Sequence, residues 1–140
     1  DTRDIDKMVS LIHSGYDLVC ASRYSYGGKR VNGPIIKGVL SFFACQSLYY
    51  LIGFPTKDAT NSFKCYKRKF VSSIKIESKG GFELPLELTV KAYANKLRIT
   101  EIPTVWKERE KGKSKFKLLR WLPQYLRWYL FAIGAKLGLN

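Results

Sequence analysis

The stretch Ile35–Ile52, IIKGVLSFFACQSLYYLI, is apolar almost all the way round a helix, interrupted only by Lys37, Ser41, Gln46 and Ser47. A helix without a polar face is either buried in a core or meets a membrane. This segment therefore restricts the fold more than any other. Its polar interruptions leave no unbroken run of 18 apolar residues, which argues against a transmembrane span.

The flanking pattern is α/β. Residues 2–14 carry Ile5, Met8, Val9, Leu11 and Ile12 at helical spacing, with Asp1 and Asp4 at the start, where carboxylates suit the helix dipole. Gly15 ends that helix, and residues 16–22, YDLVCAS, form a compact apolar strand. Helix, glycine and buried strand make half of a βαβ unit. Arg23 follows at the strand end, where open α/β sheets bind ligands. Residues 25–34, with Gly27, Gly28, Gly33 and Pro34, read as a loop, and so do residues 53–61. A short strand is expected over 62–66 and helices over 67–74 and 82–95, the latter with Pro85 in its first turn. Residues 97–105 are extended, and Pro103 marks an edge strand or its exit. A basic loop over 106–117 leads into a terminal aromatic-rich helix, which Pro123 bends or splits in two.

The net charge of +14 on 140 residues favours an anionic partner: nucleic acid, anionic lipid or a phosphorylated substrate. Cys20, Cys45 and Cys65 are widely spaced and odd in number, which excludes a disulfide framework and points to a reducing compartment. A single histidine, His13, excludes a histidine-rich metal site. The opening residues do not resemble a signal peptide. A start without Met, directly on a charged helix, suggests a piece of something longer.

Three features can carry chemistry. Asp58, in DATNSF, can orient a hydroxyl or accept a proton, or it can simply shape its turn. Glu83 and Glu87 share a helical face, a spacing that suits acid–base work, helix capping or pairing with basic residues. Lys107, Arg109, Lys111, Lys113 and Lys115 alternate around Gly112 and Ser114, so this loop either cradles a phosphate or is a solvated basic segment. In the last helix Trp121, Leu122, Tyr125, Trp128, Tyr129 and Ala132 recur at helical spacing among basic residues. That stripe suits a membrane interface, or else packing on the core or a partner helix.

Four stretches in this order resemble the family-2 glycosyltransferases of the dolichol-phosphate mannose synthase type. They are residues 15–24 (GYDLVCASRY), 34–41 continued through 51–66 (LIGFPTKDATNSFKCY), 80–92 (GGFELPLELTVKA) and 99–116 (ITEIPTVWKEREKGKSKF). The resemblance implies the C-terminal part of a GT-A-type nucleotide-diphospho-sugar transferase fold. Residues 1–117 would belong to the catalytic domain, and residues 118–140 would form an amphipathic membrane-interface segment. It implies that Arg23 contacts phosphate, that Lys37 stands in place of an acceptor-phosphate arginine, and that Ser41 is that site's serine. By the same resemblance Asp58 is the active-site aspartate, Arg109 the arginine before the glycine-serine loop, and Ser114 that loop's serine. Phe42 departs from the pattern, since arginine often stands there.

The family's N-terminal half, with its nucleotide pocket and DxD metal motif, has no counterpart in these residues, so Asp1 and Asp4 are not the metal ligands. The implied reaction passes a hexose from a nucleotide-sugar to dolichyl or undecaprenyl phosphate with inversion, at the cytoplasmic face of a membrane. Mg2+ or Mn2+ would be bound by residues missing from this chain. On that reading the chain alone is inactive, and its partners are the two substrates, an anionic membrane surface and a missing N-terminal half or separate subunit. The competing readings are a non-catalytic basic module for anionic lipid or nucleic acid, and a degenerate transferase remnant. Nucleic acid is disfavoured because no recognised nucleic-acid motif occurs and the aromatic stretches are helical.

Overall fold

A computed structural model describes residues 3–79, 81–107 and 118–139, with the side chains of residues 118 and 119 excepted. The described elements run α1 (Arg3–His13), β1 (Leu18–Ser22), β2 (Lys29–Val31), α2 (Ile35–Ile52), β3 (Lys64–Tyr66), α3 (Arg68–Ser73), α4 (Leu84–Ala94), β4 (Ile99–Pro103), β5 (Val105–Lys107) and α5 (Leu118–Leu137). The fold is α/β with a mixed three-stranded sheet ordered β3-β1-β4. β1 pairs antiparallel with β3 and parallel with β4, in register from Leu18 opposite Ile99 to Ser22 opposite Pro103. Parallel pairing requires a long crossover, and residues 23–98 supply it.

All five residues of β1 are buried because both sheet faces are covered. Val19 and Ala21 pack with Met8 of α1, while Leu18 and Cys20 pack with Phe70 and Ala92 from α3 and α4. A larger core joins α2, α4 and α5 through Cys45, Leu48, Ile52, Leu86, Val90, Trp128 and Ala132. The aromatic stripe of α5 thus divides. Trp128 and Ala132 are core residues, whereas Leu122, Leu126 and Leu130 are exposed on another face.

Three expectations need correction. Residues 25–34 are not all loop: β2 pairs in parallel with β5, Arg30 opposite Trp106. Lys-Arg-Val lacks an apolar signature, and the strand exists because of its distant partner. α5 runs as one helix through Pro123. Proline there removes one backbone hydrogen bond, and the docking of Trp128 and Ala132 on α4 and α2 holds the helix together. Finally, the polar interruptions alone do not bar α2 from a membrane, since by length and composition it is long and apolar enough to cross one. Only Gly38, Cys45, Leu48 and Ile52 of its residues are buried, while Ile35, Ile36, Phe43, Tyr50 and Leu51 are among those exposed.

Candidate functional site

The site begins where β1 ends. Ser22 Oγ accepts hydrogen bonds from the amides of Tyr24 and Ser25, turning the chain sharply after the strand. Gly28 returns over that turn, and a Cβ there would lie 2.4 Å from the Ser22 carbonyl oxygen. Only glycine permits this approach. The turn aims Arg23 at the loop between α2 and β3.

That loop is anchored on two strands. Glu101 of β4 accepts from Thr56 Oγ1 and the Lys57 amide, both at 2.8 Å. Asn61 donates from Nδ2 to the Ala21 carbonyl at 2.7 Å. Asp58 sits between these anchors, fully buried. Arg23 grips it with two side-chain bonds, Nε to Oδ2 at 2.7 Å and Nη2 to Oδ1 at 2.8 Å, and with its own amide to Oδ2 at 2.9 Å. The Asn61 amide also donates to Oδ1, at 3.3 Å. With both oxygens engaged, Asp58 acts on its surroundings by holding Arg23. Burial alone would lower the Arg23 pKa, but hydrogen bonding and charge attraction from Asp58 outweigh it and raise the value. The guanidinium therefore stays charged although half-buried.

Arg23 Nη2 continues to Thr60 Oγ1 at 3.2 Å and Ser41 Oγ at 3.5 Å, and those two hydroxyls lie 2.7 Å apart. Tyr24 OH donates to Ser41 Oγ at 3.3 Å. Arg23, Lys37, Ser41, Thr60 and Tyr125 line a cavity of about 240 Å³. It adjoins an apolar groove of about 480 Å³ between α2 and α5, whose lining includes Phe43, Leu48, Leu86, Leu126 and Tyr129. The two spaces share Leu40, Ala44, Thr60, Leu122 and Tyr125. Tyr125 donates to the Phe82 carbonyl at 2.6 Å, and burial pushes its pKa up to about 12, so it stays a neutral donor. The arrangement offers a cationic, hydroxyl-lined pocket opening onto an apolar trough, which suits an anionic head carrying a hydrocarbon tail.

Four of the six residues expected to form the site thus meet here: Arg23, Lys37, Ser41 and Asp58. Arg109 and Ser114 lie outside the described residues. Phe42 packs edge-on against Tyr24, ring centroids 5.2 Å apart. Tyr24, Thr60 and Tyr125 join the site without having been singled out for it. Thr60 stood beside Asp58 in sequence, and Tyr24 beside Arg23. Tyr125 gave no signal beyond its place in an aromatic stripe.

Glu87 resolves toward pairing. It is fully buried, accepts from the amides of Glu77 and Ser78 at 2.7 and 2.8 Å, and pairs with Lys91 at 2.7 Å. Lys91 also reaches Glu77, which Arg127 of α5 grips as well. Burial would raise the Glu87 pKa, but Lys91 and the loop donors more than offset it and lower the value. A lowered carboxylate pKa contributes stability that is present above the unfolded value and lost as pH falls through the folded one. Glu87→Gln is therefore expected to cost about 1–3 kcal/mol near neutral pH. The difference from the parent should shrink on acidification below about 4.5, the ordinary glutamate value. Chemical denaturation across pH 3–7 measures this, and a gap independent of pH would refute the assignment.

Among the described residues no three His, Cys, Asp or Glu side chains gather as a metal site. Asp58, committed to Arg23, offers no free oxygen to one.

No protein-family model matches the chain. It is 31% identical to the polyprenol monophosphomannose synthase of Mycolicibacterium smegmatis over 115 residues, 80% of this chain and 43% of that protein. It is 34% identical to the undecaprenyl-phosphate mannosyltransferase of Micrococcus luteus over 103 residues, 71% of this chain and 42% of that protein. The dolichol-phosphate mannosyltransferase of Pyrococcus furiosus is 27% identical over 134 residues, 89% of this chain and 37% of that protein. The chain is thus a distant homologue of the dolichyl- and undecaprenyl-phosphate sugar transferases, and it spans less than half the length of these relatives.

Proposed function

We propose that this chain is the C-terminal part of a GT-A-type transferase that passes a hexose from a nucleotide-sugar to a polyprenyl phosphate. The observation that carries this reading is the continuity of the cationic cavity at Arg23 with the apolar groove between α2 and α5. One amphiphile with a phosphate head and an isoprenoid tail matches both. The relatives' names concern sugar transfer to such lipids.

In this reading Arg23, Lys37 and Ser41 hold the acceptor phosphate, and Arg109 and Ser114, outside the described residues, contribute from the segment preceding α5. The attacking phosphate oxygen is ionised near neutral pH, so the step needs no strong base. Asp58 accordingly serves as a positioning residue: it fixes the Arg23 fork and keeps it charged before substrate arrives, an electrostatic preorganisation. The donor nucleotide pocket and the ligands for Mg2+ or Mn2+ would lie outside this chain. Residues 118–140 would form the membrane-interface segment. The exposed leucines of α5 and the exposed face of α2 would rest on the cytoplasmic side of a bilayer, with the surrounding lysines and arginines meeting anionic headgroups. The buried stripe of α2 favours this in-plane placement over a span, because crossing a bilayer would strip α2 from its own core.

The test is transfer of labelled sugar from a panel of nucleotide-sugars to polyprenyl phosphate, with this chain and with the chain extended upstream. Transfer by the extended form alone is expected. Folded extended protein that transfers nothing from any donor would overturn the reading.

A further inference from the structure

Lys64 is a residue beside the cavity to which the reading above gives no task. It stands in β3 opposite Cys20, so both side chains leave the same sheet face. Its ammonium points inward and donates to the Ala59 carbonyl at 2.6 Å and the Pro85 carbonyl at 3.0 Å. Ala59 lies between Asp58 and Thr60, both of which contact Arg23. Pro85 lies in the first turn of α4, and its carbonyl also accepts from Thr89 Oγ1. One buried ammonium therefore ties the loop that holds Arg23 to the first turn of the neighbouring helix.

The charge around this ammonium is unusual. Among the described residues no carboxylate forms an ion pair with Lys64. Asp58 is taken up by Arg23, and Glu101 by Thr56 and the Lys57 amide. Cys20 supplies no counter-charge, since burial pushes its thiol up to about 11. Burial lowers the Lys64 pKa, because desolvation disfavours the charged form. The two carbonyls it meets make the amine a hydrogen-bonding tether, whatever its charge.

We propose that Lys64 is a positioning residue of the anion site: by tying the Ala59 carbonyl to that of Pro85 it sets the Asp58–Thr60 loop, and with it the Arg23 fork, for an incoming phosphate. The inference rests on reading the cavity as an acceptor-phosphate site, and it adds a residue to which no substrate contact is assigned. Lys64 lines neither the cavity nor the groove, so its effect must pass through the loop.

The experiment uses the full-length protein and titrates tryptophan fluorescence with farnesyl phosphate and, separately, with farnesol. Lys64→Met is expected to weaken farnesyl phosphate binding about tenfold, because the loop that fixes the Arg23 fork loses its tether. Farnesol binding should stay unchanged, and Lys64→Arg should recover most of the phosphate affinity. A folded Lys64→Met protein that binds farnesyl phosphate as the parent does would overturn the proposal, as would equal losses for both ligands. If Lys64→Met does not fold, Lys64→Gln is judged by the same criteria. If the parent itself binds no farnesyl phosphate, the acceptor-site reading fails, and amide hydrogen exchange then judges Lys64. Faster exchange at Arg23 and Asn61, whose amides donate to Asp58, would support the loop-setting role, and unchanged exchange would overturn it.

Discussion

Under the proposed function, Arg23→Ala is expected to lower kcat/KM for sugar transfer, assayed with the chain extended upstream, by about 10²–10³-fold, the size of losing one preorganised donor at a centre of negative charge. It should also destabilise the fold, because it strands the Asp58 carboxylate, fully buried, without its cation. Breaking a buried pair from one side costs about 3–5 kcal/mol. The activity loss must therefore be separated from the stability loss, and two further variants do so. Arg23→Lys retains a cation but not the planar fork that meets both Asp58 oxygens. It should fold better than Arg23→Ala and still lose most activity. Arg23→Met combined with Asp58→Leu removes both charges, and its stability should lie closer to the parent than that of Arg23→Ala, with transfer abolished. Steady-state kinetics with denaturant melts on the three proteins decide the matter. Near-parent activity in the folded double variant would remove Arg23 from the site.

Trp128→Ala should be the most damaging single truncation for stability, at about 3–5 kcal/mol. Trp128 is 2% exposed and packs within the core shared by α2, α4 and α5. The Lys91 ammonium and the Arg127 guanidinium both lie over its ring, 5.0 and 4.8 Å from the centroid. Lys91 and Arg127 also meet at Glu77, so the indole is enclosed by an ion-pair network as well as by apolar neighbours. Leu126→Ala on the exposed face of the same helix should change stability by less than about 0.5 kcal/mol. Denaturant melts of the two variants side by side make the comparison. If Trp128→Ala were as mild as Leu126→Ala, the tryptophan would belong to a membrane-facing surface instead of the core.

That comparison marks what periodicity can and cannot reveal. The spacing of Trp121, Leu122, Tyr125, Trp128, Tyr129 and Ala132 identified a helix with an apolar side, but the side spans two faces with different fates. Trp128 is buried in the core with α4 and α2, while Leu122 and Leu126 stay half-exposed along the groove between α2 and α5. No residue-type rule separates them, because both faces are apolar. The same holds for β2: Lys29, Arg30 and Val31 become a strand only because Val105, Trp106 and Lys107 lie alongside.

The sequence by itself determined the α/β class, a buried strand within residues 16–22, the bounds of α2 and α5, and the presence of Arg23 and Asp58 at chain turns. These follow from local chemistry: a glycine after a helix, an apolar run, a carboxylate in a polar turn. It also carried the family resemblance, because ordered motifs survive in a linear string. Only the tertiary structure decided that Asp58 is spent on Arg23 across 35 residues, that Thr60 and Tyr125 share the cavity, and that Lys64 lies beneath its loop. Those relations depend on the crossover that returns the chain from β1 to β4, which brings distant residues within hydrogen-bonding reach. Spacing along the chain holds no record of such encounters.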